Sequence, residues 1–197
     1  MNLDLNQLVK WRREFHRFPE IGWSEFWTTS RIADYLEGLG CFEIFLGKQI
    51  INPDFVRGRK QAVVDKGLAN AKAYGANEKW LEKMEEYTGC VALFDSGKPG
   101  KTIALRFDID CVNVTETRSP EHIPNKEGFA SINDGFMHAC GHDSHITIGL
   151  GVALWIAQNK DKLTGKVKIV FQPAEEGVRG AAAIAQSGII DDADYFA

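Results

Sequence analysis

The feature that most constrains this chain is a pair of strand-like runs separated by one long apolar helix. Thr102-Ile103-Ala104-Leu105-Arg106-Phe107 and Lys166-Val167-Lys168-Ile169-Val170-Phe171 have strand composition, and between them the segment from Ser144 to Asn159 carries apolar residues at 146, 148, 150, 152, 154, 155 and 156. Strand, crossover helix and strand in one sheet place the two strands parallel. The near-continuous apolar character of the helix predicts that it is buried. Before this unit, Val91-Ala92-Leu93-Phe94 reads as another strand. Asp95-Ser96-Gly97-Lys98-Pro99-Gly100, which joins it to 102–107, has turn chemistry that predicts a hairpin. The fold class is therefore α/β, with helices packed on a mixed sheet that contains a hairpin and a βαβ unit.

The N-terminal part is helical. Asp4 opens an amphipathic segment that Phe18-Pro19 closes, and a second helix runs from Ser24, as N-cap, to Leu39, with Gly40 as its stop. Cys41 to Leu46 alternates as a strand. Residues 48–88 read as a helical insertion or lid over the α/β body, with helical stretches at 54–73 and 77–87, the latter capped by Asn77. A short Ala-rich helix is expected from Gly180 to Gln186, and 111–138 is a long polar loop. No internal repeat is visible.

Composition excludes several classes. Of 197 residues 44% are apolar and 25% charged, which is globular rather than disordered or low-complexity. Lys plus Arg total 23 against 27 for Asp plus Glu, a net charge of −4, which argues against nucleic acid as the main partner. No apolar stretch reaches the ~18 residues of a membrane span. Met1 to Asn6 lacks the basic and apolar regions of a secretory signal, so a cytoplasmic protein without membrane attachment is expected. The four cysteines, Cys41, Cys90, Cys111 and Cys140, form no CxxC pair and no disulfide is expected; all but Cys140 read as buried small hydrophobes.

In open α/β sheets ligands bind beyond the carboxyl ends of the parallel strands. One strand ends in Phe107-Asp108-Ile109-Asp110, the other in Phe171-Gln172-Pro173-Ala174-Glu175-Glu176-Gly177, and the helix between them begins within Met137-His138-Ala139-Cys140-Gly141-His142-Asp143-Ser144-His145. Three segments thus bring carboxylates, imidazoles and a thiol to one edge. Cys140 and His142, two apart, can reach one ion, and a helix N-terminus lowers a thiol pKa. Thiolate, imidazole and carboxylate together suit zinc, and a carboxylate-rich site suits manganese. Glu175 and Glu176 cannot face the same way on an extended backbone, so one could ligate while its neighbour addresses water. The bland alternative is a set of capping and surface residues. A rival enzyme chemistry uses Cys140 as a nucleophile with a nearby His. His16 reads as helix surface or core and His122 as a loop residue.

The two long motifs, Met137 to His145 and Phe171 to Gly177, resemble the signature of the metal-dependent amidohydrolases related to aminoacylase and carboxypeptidase. Within them the chain is similar to the branch holding N-acyl-amino-acid amidohydrolases, auxin-conjugate hydrolases and p-aminobenzoyl-glutamate hydrolase. His16-Arg17-Phe18-Pro19-Glu20, Trp80-Leu81 in the insertion, Arg179-Gly180-Ala181 and Asp191 to Phe196 extend the match. The resemblance implies Cys140, His142 and Glu176 as metal ligands, Glu175 as the general base that takes a proton from water, Asp108 as an orienting carboxylate and His145 as a site neighbour. It implies a divalent metal, Zn or Mn, with two ions in the intact parent. The implied reaction is hydrolysis of an N-acyl or N-aroyl amino acid, p-aminobenzoyl-glutamate first and other N-acyl amino acids or peptides second. A homodimer, or a hetero-oligomer with a related subunit, is implied too. Where the family continues Asp-Ala-Leu, this chain has Asp110-Cys111-Val112. Family members are roughly twice as long, so the chain reads as the N-terminal half of a metallo-aminopeptidase/carboxypeptidase-like catalytic domain. The dimerisation domain, the C-terminal half and two further ligand histidines would lie outside it. Such a half is expected to be inactive alone, and a non-catalytic metal-binding remnant is the remaining alternative.

Overall fold

The computed structural model describes residues 4–197; Met1 to Leu3, part of the stretch read for a leader, lie outside it. The elements are α1 (Leu5–Arg17), α2 (Phe26–Leu39), β1 (Glu43–Leu46), α3 (Gln61–Ala73), α4 (Glu78–Met84), β2 (Cys90–Asp95), β3 (Thr102–Asp108), α5 (Ile123–Lys126), α6 (His142–Asn159), β4 (Lys166–Gln172), α7 (Ala181–Ala185) and β5 (Tyr195–Phe196). The five strands form one mixed sheet in the order β1-β2-β4-β3-β5. β3 and β4 are parallel, with Phe107 beside Phe171 and Asp108 beside Gln172, as a βαβ unit demands. The two strand ends that carry the acidic residues are therefore level.

The hairpin does not form. β4 inserts between β2 and β3, antiparallel to one and parallel to the other. The 95–100 segment is instead a bridge over the start of β4: Ser96 N donates to Gly165 O, and Gly165 N donates to Lys98 O. Glycines make the crossing possible. A Cβ on Gly165 would sit 2.2 Å from Lys101 O, and one on Gly100 would sit 2.6 Å from Gly165 N. The turn chemistry was real, but it serves two backbones passing at van der Waals distance.

Strand alternation divides the sheet between two apolar layers. Cys90, Ala92, Phe94, Ile169 and Phe171 face the larger core with α1, α2 and α6, while Val91 and Val170 face a smaller one with Trp23, Ile50, Ile51 and Ile184. Gly149 lets α6 lie directly on the sheet, since a Cβ there would come within 2.7 Å of the Phe171 ring. Burial of α6 is one-sided: Ile146, Leu150, Ala153 and Ile156 are buried, but Ile148 is 55% exposed. Among the described residues no helix is long and apolar enough to cross a membrane.

α3 and α4 contribute Val64, Ala71, Trp80, Leu81 and Met84 to the larger core, and α3 packs against α2, so they are part of the body's packing. Residues 54–60 are not α-helical, and Asn77 caps α4 as expected, accepting from Lys79 N at 3.2 Å. α2 starts one residue later than expected, and Ser24 is not its cap; its hydroxyl donates to Ile21 O. The capping acceptor is Glu20, whose two oxygens take the N–H groups of Trp27 (3.1 Å) and Thr28 (2.8 Å). Burial pushes the Glu20 carboxyl up to about 8, against the opposite pull of these two N–H groups, so it caps as a hydrogen-bond acceptor.

Candidate metal centre

At the level ends of β3 and β4 two overlapping groups of ligand-type side chains assemble: Asp108 with His142 and His145, and His142 with Glu175 and Glu176. His142, the first residue of α6, belongs to both. Its Nδ1 lies 2.8 Å from Asp110 O, which leaves Nε2 facing Glu175 Oε2 at 3.8 Å. Burial opposes charge on this imidazole, but the hydrogen bonds it donates to the Asp110 side chain and backbone oxygens outweigh it and bring its pKa up to about 9.

Glu175 and Glu176 share a group because the backbone after β4 is not extended. Ala174 has φ 50° and Gly177 φ 78°, so the strand ends in a tight turn that aims both carboxylates inward. The condition for divergence, an extended backbone through both glutamates, is not met here. The turn is held by three N–H groups donated to two buried carboxyls: Ala174 to Glu25 Oε1 (2.8 Å), Glu175 to Asp110 Oδ1 (3.1 Å) and Glu176 to Asp110 Oδ2 (3.1 Å). Thr88 donates its hydroxyl to the other Glu25 oxygen at 2.6 Å. Burial first, and then the Asp110 charge, push the Glu25 carboxyl up to about 8.

The orienting work is thus divided. Asp108 lies 3.4 Å from His145 Nδ1 and accepts from Arg106 Nε at 2.8 Å, while Asp110 positions His142 and the glutamate turn. Strand-end position marked Asp110 in the sequence as clearly as Asp108, but Glu25 carried no signal there, being 149 residues from its partner Ala174.

Cys140 stands apart from both groups. Its thiol is exposed, and the neighbouring Glu176 carboxylate, then burial and the charges of Glu176, Glu175 and Asp110, push its pKa up to about 11. The expected lowering by the helix end is overridden by these carboxylates. Cys90 and Cys111 are buried, Cys41 is half-buried, and all four cysteines are free. His138 is buried with neither ring nitrogen hydrogen-bonded, and burial brings its pKa down to about 4.

The donor set fits a divalent cation. Glu176 Oε1 is buried without any hydrogen-bond partner, a costly state for a carboxylate oxygen unless a cation meets it. Imidazole, carboxylates and an adjacent thiol are ligands common to zinc sites.

The sequence profile of peptidase family M20/M25/M40 matches residues 104–197. A homolog of a p-aminobenzoyl-glutamate hydrolase subunit, from Haemophilus influenzae, is 98% identical over 100% of this chain and 47% of its own length. An indole-3-acetyl-aspartic acid hydrolase from Enterobacter agglomerans is 44% identical over 98% of this chain and 44% of its own length. The crystal structure of an aminobenzoyl-glutamate utilization protein from Klebsiella pneumoniae matches with a TM-score of 0.78 at 36% identity, covering 98% of this chain and 42% of that one. The chain therefore spans about half the length of the curated relatives it matches. The matched stretch takes in β4 and both glutamates of the site, and a near-identical relative covers every residue, so residues 104–197 are the part of the chain that the profile of peptidase family M20/M25/M40 identifies.

Proposed function

We propose that the protein carrying this sequence hydrolyses the amide bond of N-acyl or N-aroyl amino acids, with p-aminobenzoyl-glutamate as the leading substrate. The observation that carries the reading is the paired inward-facing carboxylates of Glu175 and Glu176 beside His142, one of them with an unpartnered buried oxygen. The substrate follows from relatives whose names specify amides of glutamate and aspartate.

Cys140, His142 and Glu176 would hold a zinc or manganese ion, with a second ion completed by residues outside this chain. A divalent ion at such a site supplies Lewis-acid polarisation of the amide carbonyl. Glu175 takes a proton from the attacking water and returns it to the departing amine nitrogen. Arg106 Nη2 at 3.7 Å and His142 Nε2 at 3.8 Å flank its two oxygens and fix their direction. Asp108 and Asp110 hold these flanking groups in place. Cys140 as a nucleophile is disfavoured, since the neighbouring carboxylates keep its thiol protonated and no imidazole base is hydrogen-bonded to it among the described residues. The name of the Haemophilus influenzae relative, which describes one subunit of a hydrolase, supports assembly with a related polypeptide, and we place the protein in the cytoplasm.

The test uses this sequence joined to the downstream part of its Haemophilus influenzae relative, here termed the completed protein. Glu175→Gln should lower turnover of p-aminobenzoyl-glutamate by about 10²–10⁴-fold and leave bound metal in place. Loss of metal from Glu175→Gln as complete as from Glu176→Gln would reverse the two roles. A trapped acyl-thioester on Cys140 would replace the reading with a cysteine mechanism.

A further inference from the structure

Of the nine arginines, six pair with carboxylates, and Arg17 lies over the Phe18 ring. Of the other two, Arg57 precedes Gly58 in the chain and Arg179 packs against Gly58, and among the described residues neither has a carboxylate within ion-pair distance. Arg57 is exposed, but Arg179 is half-buried and held. It leaves the chain three residues after Glu176, and its Nε turns back to donate to Glu176 O at 2.7 Å. Its arm runs between two bare backbones: a Cβ on Gly22 would sit 2.6 Å from Arg179 Nη2, and one on Gly58 would sit 2.8 Å from its Cδ. No larger residue fits at either position while the arm stays where it is. The terminal nitrogens are thus left without an acidic partner on an arm already immobilised, so binding through them costs little further rotamer entropy.

The surroundings say what such a group is for. Asp108, Asp110, Glu175 and Glu176 make this edge of the sheet acidic, and Arg106 is already engaged by Asp108. A substrate whose amino-acid half carries two carboxylates would be repelled here unless an uncommitted cation received it. We infer that Arg179 binds the side-chain carboxylate of an acidic amino acid in the amide substrate and so sets the preference for glutamate- or aspartate-type amides. This rests on the amide-hydrolase reading above. A guanidinium fork suits a carboxylate and gains nothing comparable from a neutral carboxamide.

The experiment compares p-aminobenzoyl-glutamate with p-aminobenzoyl-glutamine in the completed protein. Arg179→Gln should lower kcat/KM for the glutamate compound by about 10- to 100-fold, chiefly through KM, the range expected for losing one charged hydrogen-bonded contact. The glutamine compound should change by less than about 3-fold. Arg179→Lys, which keeps the aliphatic stem between Gly22 and Gly58, should fall between. Equal losses on both compounds would assign Arg179 a purely structural or α-carboxylate role and overturn the proposal; so would no loss on either. Calorimetric titration with N-acetylglutamate and N-acetylglutamine in a Glu175→Gln background reads the same preference without turnover. If no amide is hydrolysed yet binding still favours the glutamate compound until Arg179 is replaced, the contact stands and the hydrolase reading falls. If binding never discriminates between the two, the contact itself is refuted.

Discussion

Two clusters of imidazoles and carboxylates lie close together in this molecule, and they differ in whether their polar atoms are satisfied. In the first, His16 Nδ1 meets Asp143 at 2.8 Å and its Nε2 meets Glu116 at 3.0 Å; His122 Nε2 reaches the same Glu116 oxygen at 2.7 Å, and Ser131 N donates to the other at 2.6 Å. Arg12 adds a 3.1 Å ion pair to Asp143. Every nitrogen of His16 and every oxygen of Glu116 is used. In the second, His142 spends only Nδ1 on Asp110 O, and Glu176 keeps a buried oxygen with no partner. The same residue types thus do different work. The closed network ties α1 to the long loop and to the start of α6, whereas the open one has coordination to offer.

The comparison can be broken first through stability. His16→Ala leaves Asp143 and Glu116 buried without their main partner, and loss of one member of such a network costs about 3–5 kcal/mol. His142→Ala should cost less, because one of its ring nitrogens makes no hydrogen bond; urea unfolding of both variants decides this. The next effect is on metal affinity. Asp110→Asn, which weakens the hold on His142 and on the glutamate turn, should lower affinity about 10- to 100-fold, as loss of a supporting partner does elsewhere. Glu116→Gln should leave affinity unchanged, and equilibrium dialysis against zinc compares the two.

The smallest expected effect is on pH dependence. Burial disfavours charge on His16, but its bonds to Asp143 and Glu116, and their charges, raise its pKa above 6.5. Arg12 from its own helix, His122 from the loop and His138 before α6 are the other titratable groups facing this pair. A histidine whose folded pKa is raised contributes stability that is fully present below its unfolded value and lost as pH rises through the folded value. Unfolding free energy should therefore decline as the pH rises above about 6.5 more steeply in the unmodified protein than in His16→Asn. Parallel slopes would remove His16 from the network's electrostatics.

Much of the site was legible because its signals are local. Met137 to His145 and Glu175-Glu176 are contiguous, and level strand ends follow from the βαβ rule once the two strands are recognised. Elements that depend on distant partners were not. The turn residues at 95–100 read as a hairpin because nothing in them announces that β4, some 65 residues later, passes between the two strands. Ser24 had the right residue type to cap α2, but Glu20 reached the helix end first. Glu25 and Asp110 act by accepting backbone N–H groups of the 174–176 turn, a role that spacing along the chain cannot display.

The central claim is that the open cluster binds a divalent metal and the closed one does not. Metal content after zinc loading and dialysis of the completed protein tests it directly, in His142→Ala and Glu176→Gln beside His16→Asn and Glu116→Gln. The first two variants are expected to lose most of their bound metal, while folded samples of the second two keep the content of the unmodified protein. Metal retained in full by both His142→Ala and Glu176→Gln, or lost equally from all four, would contradict the account.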